Sequence, residues 1–198
     1  MANLITLSRF PLLVVYLLML YSGGSSLRFW AVGLILMIVL MDGLDGMVAR
    51  MRGETSLLGS VLDIAMDRTL EYVLWVVFAD LNLISVVVPI IVLTRGTAVD
   101  AVRAVGLRHG KVAFEQPSHP VSRFLISSRF MRSGYGVVKA AAFAALTLNL
   151  GMLGGGHSLL SAVQVTALVL TWLSVAFCLL RGLPVLFEGI TALHGEPA

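Results

Sequence analysis

The chemistry open to this chain rests on aspartates. Asp42 and Asp45 stand three residues apart in Asp42-Gly43-Leu44-Asp45-Gly46-Met47-Val48-Ala49-Arg50, and Asp63 and Asp67 stand four apart shortly afterwards. Either spacing puts two carboxylates on one helix face. The flanks, Phe29 to Met41 and Leu70 to Ala79, are apolar, so the acids lie at membrane level or at its edge. An ionised Asp at the centre of a membrane helix costs ~2.5–3.5 kcal/mol, and four facing lipid would cost on the order of 10–14 kcal/mol. They must face a polar cavity or a cation. Every donor is an oxygen, with no His or Cys nearby, which selects a hard divalent ion, Mg2+ or Mn2+, over zinc or copper. Four carboxylates exceed what one such ion usually takes from protein, so the expectation is two ions bridged by shared carboxylates and substrate phosphates. Gly46, Ala49 and Gly59 are small where helices or a ligand would approach closely, and Arg50 adds a fixed positive charge about one turn from the first pair.

Helices must hold these acids. With 58% hydrophobic and only 13% charged residues in 198, and a mean hydropathy of +0.95, a soluble domain is excluded and an all-α, polytopic integral membrane protein is expected. Six apolar runs divide the chain, at 4–22, 28–50, 57–79, 83–105, 133–150 and 159–180, with 181–198 read as a short tail holding at most an interfacial helix. Six spans use ~120 residues, which makes 1–198 a single membrane domain. Pro11 interrupts the first run and Pro89 is expected to kink the fourth. A signal peptide is the competing reading of the first run. It lacks a basic region ahead of its apolar core, so the run is taken as a retained span. Cys178 is the single cysteine and forms no disulfide within the chain.

Orientation follows from the basic residues. An N-terminus in the cytoplasm puts Arg9, Arg50, Arg52, Arg108, Lys111, Arg123, Arg129, Arg132 and Arg181 on or near that side and leaves Arg28 outside. The aspartates then line a polar cavity open to the cytoplasm, in the cell's inner, cytoplasmic membrane. The basic segment 106–132 lacks the aromatic interleaving of a nucleic-acid platform. Ala140-Ala141-Ala142 and Ala144-Ala145 permit the close helix packing of a homodimer.

The full spacing, Asp-x2-Asp-Gly-x2-Ala-Arg-x8-Gly-x3-Asp-x3-Asp, is met at every defined position and resembles the CDP-alcohol phosphatidyltransferase family of membrane enzymes. The resemblance implies that a CDP-linked lipid, CDP-diacylglycerol, gives its phosphatidyl group to the hydroxyl of a small polar alcohol and releases CMP. It implies metal ligation by Asp42, Asp45 and Asp63. Asp67 would complete the site and is the best candidate for the base that takes the acceptor's proton. A carboxylate on a metal is a weak base, so those two roles compete. Gly46, Ala49 and Gly59 would pack beside the cytidine nucleotide, with Arg50 and Ser56 in the same region. Arg50 is also readable as a snorkelling interface anchor.

The branch of the family that makes phosphatidylglycerophosphate carries an Arg-x7-Arg and a Gly-x2-Lys similar to Arg95, Arg103 and Gly136 to Lys139 here. This implies an acceptor bearing its own phosphate, such as glycerol 3-phosphate, held on Arg95, Arg103 and Lys139. Ile64 follows Asp63 where that branch usually has Pro, and Asp67-Arg68 with Glu71 looks more like the inositol-phosphate branch. Inositol phosphate, or an unphosphorylated alcohol, therefore stays open as acceptor. Arg95 also has Glu71 and Asp100 as possible structural partners. A small ion-coupled transporter is the reading from a different class, and the two related halves with broken helices that would mark it are not visible here.

Overall fold

A computed structural model describes residues 2–52, 57–108, 124–125, 128–153 and 159–194. All regular structure among them is helical: α1 (Ala2–Ser22), α2 (Ser25–Arg52), α3 (Leu57–Asp80), α4 (Val87–Arg108), α5 (Arg129–Met152) and α6 (Leu160–His194). These six match the six apolar runs. Met131–Met152 and Leu160–Phe187 are each long and apolar enough to cross a bilayer, while Leu7–Ser22 and Ser25–Met41 are shorter apolar stretches. α2, α3 and α4 carry acids or arginines in their apolar sequence, which lowers their hydropathy as spans.

Two expectations change. The sixth helix does not end at Arg181 but runs through Gly182 and Pro184 to His194. Leu183, Val185 and Phe187 keep it apolar, and the proline removes the backbone bond to the carbonyl of Leu180 and crowds that carbonyl without ending the helix. Pro89 lies in the first turn of α4 instead of kinking its middle. There its missing N–H was not needed. Ser85 caps that helix, its Oγ accepting from the N–H of Val87 at 3.3 Å.

The chain divides into two compact units, one of Met1–Ile84 with Ala140–Val169, the other of Ser85–Lys139 with Leu170–Ala198. In the first unit α1 packs on α2 and α3. Its core is a set of helical stripes: Tyr16 and Leu20; Ala31, Ile35 and Ile38; Met66, Leu70, Leu74 and Phe78; Phe143, Leu146 and Leu150. Trp75 meets Phe143 edge-on with ring centroids 4.8 Å apart. Thr147 Oγ1 donates to the Phe143 carbonyl at 2.7 Å, which leaves the buried Tyr16 hydroxyl to donate to Thr147 at 2.6 Å.

Two contacts fix the direction of α1 against α3. Arg9 bonds Asp67, 58 residues on, and Tyr21 bonds Asp80, 59 on. A constant offset means parallel helices, as alternate spans of a membrane protein must be. The two contacts are separated by 12 to 13 residues, or ~18 Å of helix. α3 ends in a Schellman turn: Asn82, at φ 57°, donates to the Ala79 carbonyl and Leu83 to that of Phe78, both at 3.0 Å.

Candidate active site

In the first unit the second aspartate pair is held by an arginine that the sequence placed among the residues setting orientation. Arg9 Nη2 donates to Asp67 Oδ1 at 3.0 Å, and its Nη1 lies 3.7 Å from Asp63 Oδ1. The Arg9 side chain is 2% exposed, whereas those of Asp63 and Asp67 are 44% and 49% exposed. The guanidinium therefore approaches from the buried side and leaves the carboxylates open on the other. A charge buried this deeply needs anions beside it, and the parallel course of α1 and α3 brings them.

Asp63 and Asp67 offer two oxygen donors one helical turn apart, of the kind a hard divalent ion takes, while among the described residues no group of three metal-ligating side chains comes together. Gly59, half-buried, lies one turn ahead of Asp63 on α3. Asp42, Asp45, Gly46, Ala49 and Arg50 lie on α2, with their side chains outside what the structure describes, and Ser56 lies outside the described residues altogether.

The second unit gathers cations. Lys139 Nζ sits over the Tyr135 ring at 5.3 Å from its centroid, and the Arg181 guanidinium over the same ring at 5.8 Å. These are cation–π distances. Arg181 is also within electrostatic reach of Arg95, Arg132 and Arg103. The structure thus brings Arg95, Arg103 and Lys139, the residues expected for an acceptor phosphate, into one cluster with Arg181 and Arg132. The sequence reading had assigned Arg132 and Arg181 to the cytoplasmic boundary. The signal for Arg181 was its position inside an apolar helix, followed at once by Gly182.

Gly182 explains how Arg95 fits. A Cβ there would fall on the Arg95 side chain, within 2.7 Å of Cγ and 2.8 Å of Cδ. Only glycine lets Arg95 cross α6 at this height. The buried Nε atoms of Arg95 and Arg181 find no hydrogen-bond acceptor among the described residues. Buried charged donors of this kind are costly unless an anion meets them. On the other flank of Arg95 an apolar groove of about 330 Å³ runs between Ile90, Ile91, Leu179 and Leu183, a surface suited to lipid chains and not to a polar acceptor.

The model of the family described as CDP-alcohol phosphatidyltransferase matches residues 1–180. The chain belongs to that family. It is therefore a membrane transferase that moves a phosphatidyl group from a CDP-alcohol to an alcohol acceptor, and the ion-coupled transporter is set aside. The match spans Arg9, Asp42, Asp45, Asp63, Asp67, Arg95, Arg103 and Lys139, and ends one residue before Arg181. CDP-alcohol phosphatidyltransferases generally depend on divalent metal. None of the curated proteins is a match to this transferase.

Proposed function

We propose that the transferase, working as one catalytic domain over 1–198, passes the phosphatidyl group of CDP-diacylglycerol to the hydroxyl of a small phosphorylated polyol such as glycerol 3-phosphate. The acceptor oxygen forms a bond to the lipid-bearing phosphorus, the bond from that phosphorus to CMP breaks, and the hydroxyl proton passes to Asp67. Asp42, Asp45, Asp63 and Asp67 would hold two Mg2+ or Mn2+ ions. Bound there, the ions supply charge neutralisation on the diphosphate. Gly46, Ala49 and Gly59 leave room for the cytidine nucleotide, with Arg50 and Ser56 beside it. In the same reading the site faces the cytoplasm from the inner membrane, and the small residues of the Ala140–Ala145 stretch allow a homodimer, although Ala142 is already buried within its own chain.

The observation that carries the phosphorylated acceptor is the cation cluster. α4 has one acid, Asp100, against Arg95, Arg103 and Arg108, and buried guanidinium nitrogens of Arg95 and Arg181 lack an acceptor among the described residues. A phosphate monoester supplies both the charge and the acceptor oxygens. The test is an acceptor screen with radiolabelled CDP-diacylglycerol, comparing glycerol 3-phosphate and inositol phosphate with glycerol, inositol and serine. A phosphorylated acceptor is expected to win. Charge-assisted contacts are worth roughly 1.5–3 kcal/mol each, so Lys139→Ala or Arg103→Ala should raise the acceptor KM about ten- to hundred-fold and leave the KM for CDP-lipid nearly unchanged. Preference for an unphosphorylated alcohol would return these cations to the helix scaffold.

A further inference from the structure

We infer that Arg9 is a positioning residue of the active site: a built-in cation that limits how strongly the second aspartate pair holds metal and fixes which oxygen of Asp67 does the work. The inference rests on the reading that Asp63 and Asp67 serve a metal-dependent phosphatidyl transfer.

The geometry is specific. Arg9 is 2% exposed and reaches Asp67 Oδ1 at 3.0 Å and Asp63 Oδ1 at 3.7 Å from two different guanidinium nitrogens. A planar guanidinium can engage two carboxylates at once, which a lysine ammonium on a flexible stem does less well. Because the pair is gripped from its buried side, Asp67 presents its other oxygen to the open side, where substrate and ions would arrive. The fixed positive charge also offsets part of the carboxylate charge. A divalent ion on Asp63 and Asp67 is bound against that charge and so remains exchangeable.

The buried face of α1 keeps Arg9 in place. Two residues after Arg9 the helix contains Pro11, and Leu13, Tyr16 and Leu20 anchor the following turns in the core. The position of Arg9 is thus set by the packing of α1 on α3, and a loop-borne arginine would have no such constraint.

The two roles predict effects of opposite sign, which a merely structural arginine would not give. The experiment uses purified full-length wild type, Arg9→Gln and Arg9→Lys, with Mn2+ as the probe read by electron paramagnetic resonance, the metal-free melting temperature, and steady-state turnover of CDP-diacylglycerol. Arg9→Gln should bind Mn2+ tighter by about ten-fold, because a like charge that opposes the ion at the same carboxylates is removed, while kcat falls about ten- to hundred-fold for loss of orientation. Arg9→Lys restores the charge, so its Mn2+ affinity should return to within about two-fold of wild type. Its kcat should remain about ten-fold low, because an ammonium does not hold both carboxylates. Unchanged or weaker Mn2+ binding in a folded Arg9→Gln overturns the inference. Full kcat in Arg9→Lys does so as well, even if Arg9→Gln fails to fold. Absence of wild-type turnover with every alcohol acceptor would instead sink the underlying functional reading, while the Mn2+ titrations still decide the role of Arg9.

Discussion

Asp67 carries the sharpest conflict at the scale of single residues. It is paired with Arg9, sits one turn from Asp63, and is wanted both as ligand and as base. A base acts on the acceptor step alone, whereas a ligand acts whenever the diphosphate is bound. Asp63→Asn is therefore expected to abolish turnover together with Mn2+ binding, as is treatment of the wild type with a chelator. Asp67→Asn should keep its affinity for radiolabelled CDP-lipid and lose turnover. Equal loss of nucleotide binding in Asp67→Asn would make it an ordinary ligand, and full turnover in chelated protein would remove the metal from the mechanism.

Among the elements, α6 matters most for what the sequence did not reveal. Read as a span ending at Arg181 with a tail behind it, it offers a boundary cation; continued to His194, it carries Arg181 and Gly182 within a helix. Gly182 is the seat of the Arg95 side chain, so Gly182→Ala must push Arg95 aside. The expected result is an acceptor KM raised about ten-fold, as for loss of one charge-assisted contact, with the KM for CDP-lipid and the melting temperature nearly unchanged. A loss confined to melting temperature would mean that Gly182 serves helix packing alone. Tyr135 is shared by Lys139 and Arg181, its ring attracting both cations.

At the scale of the whole molecule, sidedness is the property to measure. In the first unit the Tyr21–Asp80 contact lies at the C-terminal end of the parallel pair α1 and α3, and the Arg9–Asp67 contact lies ~18 Å nearer the start of both. Arg28 belongs with the C-terminal end: its Nε donates to the Leu20 carbonyl at 3.2 Å, and a Cβ on Gly151 would touch its side chain. By the positive-inside rule the excess of basic residues elsewhere would put the carboxylate end in the cytoplasm, the sidedness proposed above. Single cysteines at Ser26 and Ser118, in a Cys178→Ala background, test this with a membrane-impermeant maleimide. Labelling of intact cells is expected at position 26, and labelling at 118 only after permeabilisation. The reverse pattern inverts the topology.

The sequence by itself determined the family, the helical class and the six apolar runs that fold as helices. Aspartates at fixed helical offsets form a local signature, and apolar runs of span length leave helices as the way to satisfy the backbone in lipid. It also placed Asn82 between two spans, where it ends α3, whereas Ser85, read as inside the fourth run, turns out to cap α4. Arg9, Arg181 and Gly182 became legible only in three dimensions. Arg9 stands 58 residues from its partner, and Arg181 lies far along the chain from Arg95, Arg103 and Tyr135. A charge reads in sequence as a boundary mark, because its cost in the membrane is known while its partners are not. Tertiary packing decides whether that cost is met by water at the interface, by a carboxylate behind it, or by a ligand still to come.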